Sequence, residues 1–221
     1  MALANLAKFS GRYGQFGQIR QNYSLKWTSG NDSLQALHQF FNPDTALSLE
    51  GMLQAIKRMI RLLPPCMGQI VKFGCLIGLR SAEIVESVRL LAANFAGSNY
   101  YNPELQMLQH YKFPQFLRTT KKAYISFVTK EMLSGIEVLG CKTPTWNAIR
   151  LTCQRRGIKC DMRYCRKIHA THLYQSGIPV EIIDALQGRA PANIFAKWYY
   201  KPSLDYKDKV LDSISKLSSK I

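Results

Sequence analysis

Between residues 49 and 63, Leu49, Met52, Leu53, Ile56, Met59, Ile60 and Leu63 recur at three- and four-residue intervals, while Lys57, Arg58 and Arg61 fall mostly off that stripe. The spacing predicts an amphipathic helix. Pro64-Pro65 ends it, because proline has no amide hydrogen for a continuing helix. A largely apolar run from Met67 to Gly78 predicts a second, buried helix. It stops at Gly78-Leu79-Arg80-Ser81, where a serine hydroxyl can cap a third helix running from Ala82 towards Phe95. Arg80 thereby falls at a buried helix junction. Upstream, Asn31-Asp32-Ser33 precedes Leu34, Leu37 and Phe40, a short helix that Asn42-Pro43-Asp44 breaks.

Past the turn-forming stretch Gly97 to Pro103 the pattern changes. Leu105 to Phe113 and Ala123 to Thr129 carry the aromatic and β-branched residues of strands, the first shortened by Pro114. Arg118-Thr119-Thr120-Lys121-Lys122 between them reads as a basic turn at the tip of a hairpin or small sheet. From Thr145 onward helices are predicted again, over Thr145 to Gly157, Met162 to Tyr174, Pro179 to Gln187, Pro191 to Tyr200 and Leu204 to Lys216. Pro179 and Pro191 fall where a first helical turn tolerates proline. The fold class expected is mainly α with a small antiparallel β-sheet, an α+β chain.

One main domain is expected over residues 30–200. Residues 1–29 are rich in Gly, Gln, Asn and aromatics without clean periodicity, and are read as an irregular arm or linker remnant. Residues 201–221 place Val210, Leu211, Ile214 and Leu217 on one stripe, an amphipathic tail helix that either packs on its own chain or docks on a neighbouring protomer.

With 47% hydrophobic and 20% charged residues the chain matches globular averages and is expected to fold. No run approaches the roughly 18 apolar residues of a membrane span, and the N-terminus lacks the apolar core and cleavage site of a secretory signal. Six cysteines form no CxxC pair, so a reducing cytoplasm is the expected compartment. The cluster Cys153, Cys160, Cys165, His169 and His172 fits none of the usual zinc spacings, and no metal or other cofactor is expected. A formal net charge of +16 changes the picture most. Such a field favours a polyanion, and because the charges are spread through ordered-looking sequence, nucleic acid ranks ahead of a membrane surface.

Three separated segments carry candidate chemistry. Gly78-Leu79-Arg80-Ser81-Ala82-Glu83-Ile84 reads as a G-L-R-x-x-E-L box. Arg163-Tyr164-Cys165-Arg166-Lys167-Ile168-His169-Ala170-Thr171 follows an H-x-L-R-H-T-x-A-T run, and Leu186-Gln187-Gly188-Arg189 is similar to L-L-G-H. In this order the boxes resemble the tyrosine recombinase (phage integrase) family over roughly Ser33 to Tyr200. Gln187 to Pro191 and Phe195 to Tyr199 resemble its archaeal branch, the integrases of fuselloviruses and related plasmids. The family's separate N-terminal DNA-clamping domain is not visible, so the chain looks like a catalytic fragment or a shortened member.

The resemblance implies a site-specific recombinase that cuts and rejoins DNA through a 3′-phosphotyrosyl intermediate, joining a virus or plasmid to a chromosome without metal or cofactor. Arg80 and Arg166 take the positions of the two catalytic arginines, and Arg163 and Arg189 stand where histidines are usual. Tyr199 is the expected nucleophile with Tyr200 as the alternative, and Lys121 the expected acid with Lys122 as the alternative. Double-stranded attachment-site DNA and other copies of the chain, as a tetrameric synapse, are the implied partners.

The residue types suit that chemistry. Guanidinium forks bind non-bridging phosphate oxygens bidentately and stay charged at any working pH. Arg163 lies one helical turn before Arg166 and can reach the same phosphate. A tyrosine hydroxyl, with an ordinary pKa near 10, becomes nucleophilic when cations favour the phenolate. An always-protonated guanidinium accepts no proton, so Arg163 and Arg189 leave the tyrosine's base unassigned. Plainer readings stand beside these: Arg80 simply paired with Glu83, Tyr199 and Tyr200 as ordinary aromatics, and His169 and His172 in packing or DNA contact. Two rival functions are a catalytically silent DNA-binding module of the same fold and a type IB topoisomerase-like enzyme.

Overall fold

The computed structural model describes residues 2–23, 48–93, 99–118, 122–137, 143–159, 161–189 and 205–221. The chain falls into two units, Met1–Leu47 and Ser48–Ile221. In the first, where composition predicts an irregular arm, there are two helices, α1 (Ala2–Phe9) and α2 (Tyr13–Asn22). Gly11, at φ +68°, turns the chain between them. The Ala- and Leu-rich opening supplies strong helix formers that outweigh the glycines and aromatics on which the expectation rested. The helix expected from residue 31 to 40 lies outside the described residues.

The second unit begins as its periodicity predicts. In α3 (Leu49–Leu62) Met52, Leu53, Ile56 and Met59 are buried, and the Ser48 hydroxyl caps the helix by accepting from the Gly51 amide at 3.1 Å. α4 (Pro65–Ile77) is buried over most of its length and ends on Gly78 in the left-handed conformation, φ +64°. α5 (Ser81–Ala93) follows. Ser81 is its first helical residue and not the cap. The amide left over at the junction is that of Arg80, and the Glu83 carboxylate accepts it from three residues ahead at 3.0 Å.

The sheet is smaller than expected. Its three antiparallel strands, β1 (Tyr101–Asn102), β2 (Met107–Leu108) and β3 (Ser126–Phe127), pair in that order, with Tyr101 opposite Leu108 and Met107 opposite Phe127. Only two residues of the expected first strand belong to it; the chain then makes 3₁₀ turns at His110–Lys112 and Pro114–Phe116. The aromatic content that suggested a strand packs inward instead. Tyr100 meets Phe113 edge-on with ring centroids 5.1 Å apart, and His110 packs on Phe116 at 4.6 Å. The His110 ring also lies 2.8 Å from the Tyr100 hydroxyl and 2.9 Å from that of Ser126, which satisfies all three buried polar groups. A single antiparallel bridge, Leu117 to Lys122, closes the basic turn.

α6 (Lys130–Glu137), which the sequence pattern did not predict, packs on α4 and α5; α7 (Trp146–Arg155) packs on α5; α9 (Val180–Leu186) and α10 (Asp205–Lys220) follow. α8 (Arg163–Gln175) lies at the centre and packs against α3, α4, α9 and α10. The tail helix α10 packs on its own chain. Val210, Leu211, Ile214 and Leu217 are buried, and His172 Nε2 donates to the Ser213 carbonyl at 2.9 Å. The helix expected from Pro191 to Tyr200 lies outside the described residues.

Candidate active site

Gly78 brings the first box to the second. A β-carbon there would stand 2.4 Å from His169 Cδ2, so the left-handed glycine also lets the His169 ring of α8 lie against the end of α4. His169 is buried, and burial pushes its pKa down to about 4 against the weaker opposing pull of the Leu76 and Cys75 carbonyls. Neither ring nitrogen reaches hydrogen-bond geometry with a described residue. It is a neutral packing residue. Across the same α4–α8 contact the thiols of Cys75 and Cys165 approach to 3.3 Å.

Arg80, at the start of α5, is half-buried, and its Nη1 donates to Glu83 Oε1 at 2.8 Å and to the Lys122 carbonyl at 3.3 Å. Glu83 is only 2% exposed and takes a second cation, Arg118 Nη2, at 3.0 Å. The pairing of Arg80 with Glu83 is therefore real, and it does not exclude a phosphate: the carboxylate anchors one side of a guanidinium whose fork has five N–H donors.

Arg166 stands in the first turn of α8. Its Nη2 donates to the Gln187 carbonyl at 3.1 Å and to Gln187 Oε1 at 3.4 Å, while Gln187 Nε2 donates back to the Arg166 carbonyl at 2.9 Å. Its Nη1 is buried and has no hydrogen-bond partner among the described residues. Burial first, then the positive charges of Arg80 and Arg189, lower the Arg166 pKa to about 10. It stays protonated at neutral pH and wants an anion.

The two arginines in histidine positions lie further out. Arg163 is 84% exposed and forks onto Asp161 through Nε at 2.8 Å and Nη2 at 2.7 Å. Arg189 is also exposed, with Nη1 2.7 Å from Asp184 Oδ1. A cleft of about 430 Å³ is lined by Arg80, Arg163 and Arg166 together with Trp146, Lys159 and Asp161. A second, of about 310 Å³, is shared by Arg163, Arg166, Lys167, Gln187 and Arg189. Arg163 and Arg166 line both, so three separated boxes meet on one cationic surface.

The hairpin joins them through its backbone. The Lys122 carbonyl that meets Arg80 also lies against Gly188, where a β-carbon would stand 1.7 Å from it. The Lys122 side chain is exposed. Lys121, Tyr199 and Tyr200 lie outside the described residues. Reading the boxes overlooked the roles of Gln187, Asp161 and Asp184. For Gln187 a signal was present, a polar residue replacing leucine in an apolar register; for the aspartates, only their closeness in sequence to Arg163 and Arg189.

The archaeal phage integrase family matches residues 74–210, more than half of the chain, from within α4 to within α10. The chain belongs to that family. No curated protein and no solved structure matches it. The integrase match takes in all three boxes and the hairpin. Membership makes DNA the partner and DNA integration and recombination the role, in keeping with the net charge of +16. No helix among the described residues is long and apolar enough to cross a membrane.

Proposed function

We propose that this integrase is a tyrosine-type site-specific recombinase, breaking and rejoining duplex DNA at the attachment sites of a virus or plasmid. Arg166 and Arg80 bind the non-bridging oxygens of the scissile phosphate, with Arg163 and Arg189 completing the clamp from outside. The Tyr199 oxygen attacks phosphorus, forming a Tyr–O–P bond as the P–O5′ bond breaks. Lys121 donates a proton to the departing 5′-oxygen, with Lys122 as the alternative donor, and water or a phosphate oxygen takes the tyrosine proton. A 5′-hydroxyl of a second strand then attacks the phosphotyrosine in reverse, so bond energy is kept and no nucleotide cofactor is consumed. Permanently charged guanidiniums supply the electrostatic stabilisation that a metal ion gives elsewhere.

The observation that carries this reading is the Arg166 guanidinium: partly buried beside two other arginines, held by a neutral amide, with one amino group that has no hydrogen-bond partner among the described residues. A partly desolvated cation among like charges is costly and is explained by an anion that binds there. We assign the catalytic domain to residues 30–200, with 1–29 as an N-terminal arm and 201–221 as a tail helix packed on the domain, four copies assembling on two attachment sites in the host cytoplasm.

The test is covalent adduct formation on a nicked suicide substrate carrying the attachment core, without added metal. Wild type is expected to form the adduct, Tyr199→Phe to lose it and Tyr200→Phe to keep it. Loss in Tyr200→Phe alone moves the nucleophile by one residue. DNA binding without any adduct favours the silent module, and relaxation of supercoils without attachment-site preference favours the topoisomerase reading.

A further inference from the structure

We infer that Gln187 is a positioning residue for Arg166: it fixes one amino group of the guanidinium and so sets the orientation in which the fork meets the scissile phosphate. The inference rests on the recombinase reading above and adds a residue to its machinery.

Gln187 sits just past the end of α9, is 1% exposed, and faces the first turn of α8. A buried amide needs partners for both its oxygen and its nitrogen. Here both go to a single residue, 21 positions away in sequence: Oε1 accepts from Arg166 Nη2 and Nε2 donates to the Arg166 carbonyl. The Gln187 backbone adds its own carbonyl to the same Nη2. Two hydrogen bonds therefore hold the Arg166 side chain on Gln187, and a third ties the Gln187 amide to the backbone of α8. Arginine otherwise loses rotamer freedom when it is fixed on a ligand, and a clamp of this kind meets that cost before DNA arrives.

The choice of an amide is informative. Arg80 leans on Glu83, Arg163 on Asp161 and Arg189 on Asp184, each a carboxylate that cancels part of the cation's charge. Arg166 has no carboxylate partner among the described residues. A neutral clamp orients the guanidinium and leaves its full charge for the phosphate. Leucine, the residue of the resembling L-L-G-H box, offers no hydrogen bond at this position. The glycine that follows, at φ +69°, turns the chain beneath the Lys122 carbonyl, which Arg80 also contacts. Gln187, which clamps Arg166, and Gly188, which lies against the carbonyl that Arg80 contacts, are thus neighbouring residues of one turn.

The experiment measures single-turnover adduct formation on the suicide substrate for wild type, Gln187→Met, Gln187→Glu, Arg166→Lys and the Arg166→Lys/Gln187→Met double variant. Duplex affinity and thermal unfolding are measured on each. Gln187→Met, similar in size but unable to bond, is expected to slow cleavage about 10- to 100-fold, the usual cost of a misplaced catalytic group, with duplex affinity unchanged within about threefold. In the Arg166→Lys background the same change is expected to alter the rate less than about twofold, because the residue it acts through is gone. Should Gln187→Met fail to fold, Gln187→Glu takes its place: it keeps an acceptor, brings in a competing charge, and is expected to cleave more slowly than wild type. Wild-type rates in a folded Gln187 variant, or an equal slowing in both backgrounds, overturn the inference and leave the recombinase reading standing. A wild type that binds duplex without forming an adduct overturns both.

Discussion

The carbonyl oxygen of Lys122 occupies the space that a side chain on Gly188 would need: a β-carbon at residue 188 would lie 1.7 Å from it. The same oxygen accepts from Arg80 at 3.3 Å. One backbone atom of the basic hairpin therefore seats the hairpin against the turn carrying Gln187 and Arg189 and against the first arginine. Gly188→Ala adds both this clash and an unfavourable φ of +69°. It is expected to reduce adduct formation more than about tenfold and to cost more in urea unfolding than the about 1–3 kcal/mol of the backbone strain alone, because the overlapping atom belongs to the main chain. Unchanged cleavage would mean that the hairpin's seat is immaterial to the chemistry.

Glu83 is the shared anchor of Arg80 and Arg118 and is almost fully buried. Its removal leaves Arg80 half-buried without a counter-charge and frees the Arg80 amide at the start of α5. Glu83→Ala is expected to cost about 3 kcal/mol in chemical denaturation, the cost of breaking one side of a buried pair. Arg118→Ala, which removes the more exposed of the two partners, is expected to cost under about 1 kcal/mol.

Three buried histidines, His110, His169 and His172, make the protein sensitive to acid, burial lowering the pKa of each. Burial lowers the pKa of His110 to about 3 and that of His169 to about 4, from about 6.5 in an unfolded chain. Below pH 6.5 the unfolded state takes up protons that the folded state refuses, so stability present above that pH is lost as the pH falls towards the folded values. Between pH 7 and pH 5 each of the His110 and His169 rings is expected to remove about 2 kcal/mol of unfolding free energy. His169→Phe should remove about 2 kcal/mol of that pH dependence whatever it does to absolute stability. A flat profile from pH 7 to pH 5 would contradict the burial of both rings.

The cis-packed tail helix is a structural member. Leu217 is fully buried, and Ser213 is bonded to both His172 and Ser176. Leu217→Ala is expected to cost about 2–4 kcal/mol, with the loss seen equally at low and high protein concentration. A loss that disappears on raising the concentration would place the helix on a neighbouring copy instead.

Asp161 holds Arg163 through two guanidinium contacts and its backbone amide. Freeing that cation by Asp161→Asn is expected to tighten duplex binding about threefold and to steepen its salt dependence by roughly one counterion, the footprint of one added phosphate contact. Weaker binding would mean that the carboxylate aims Arg163 at the DNA and does not restrain it.

Much of the fold was readable because helical periodicity is local. The stripe of Leu49 to Leu63, the stops at Pro64 and Gly78, and the Arg163-to-Arg166 spacing depend on residues within a turn or two of one another, and the helices begin and end near where those signals fall. The strands were misjudged because β-rich composition records a preference for packing and not its direction: Phe113 and Phe116 went to Tyr100, and His110 found Ser126 across the sheet. The pattern predicts no helix where α6 stands and an irregular opening segment where α1 and α2 stand.

For the site, the sequence by itself determined the kinds of groups and their order along the chain: the arginines in three boxes, a basic turn, and an excess positive charge that only a polyanion balances. Those are fixed by residue identity and short spacing. Tertiary structure alone decided the partners, giving Arg80 a carboxylate and Arg166 an amide 21 residues away, setting Arg163 and Arg189 against aspartates, and bringing the Lys122 carbonyl onto Gly188. Such pairings join residues far apart in the chain. They exist only once α4, α8 and the hairpin have packed, so no local pattern encodes them.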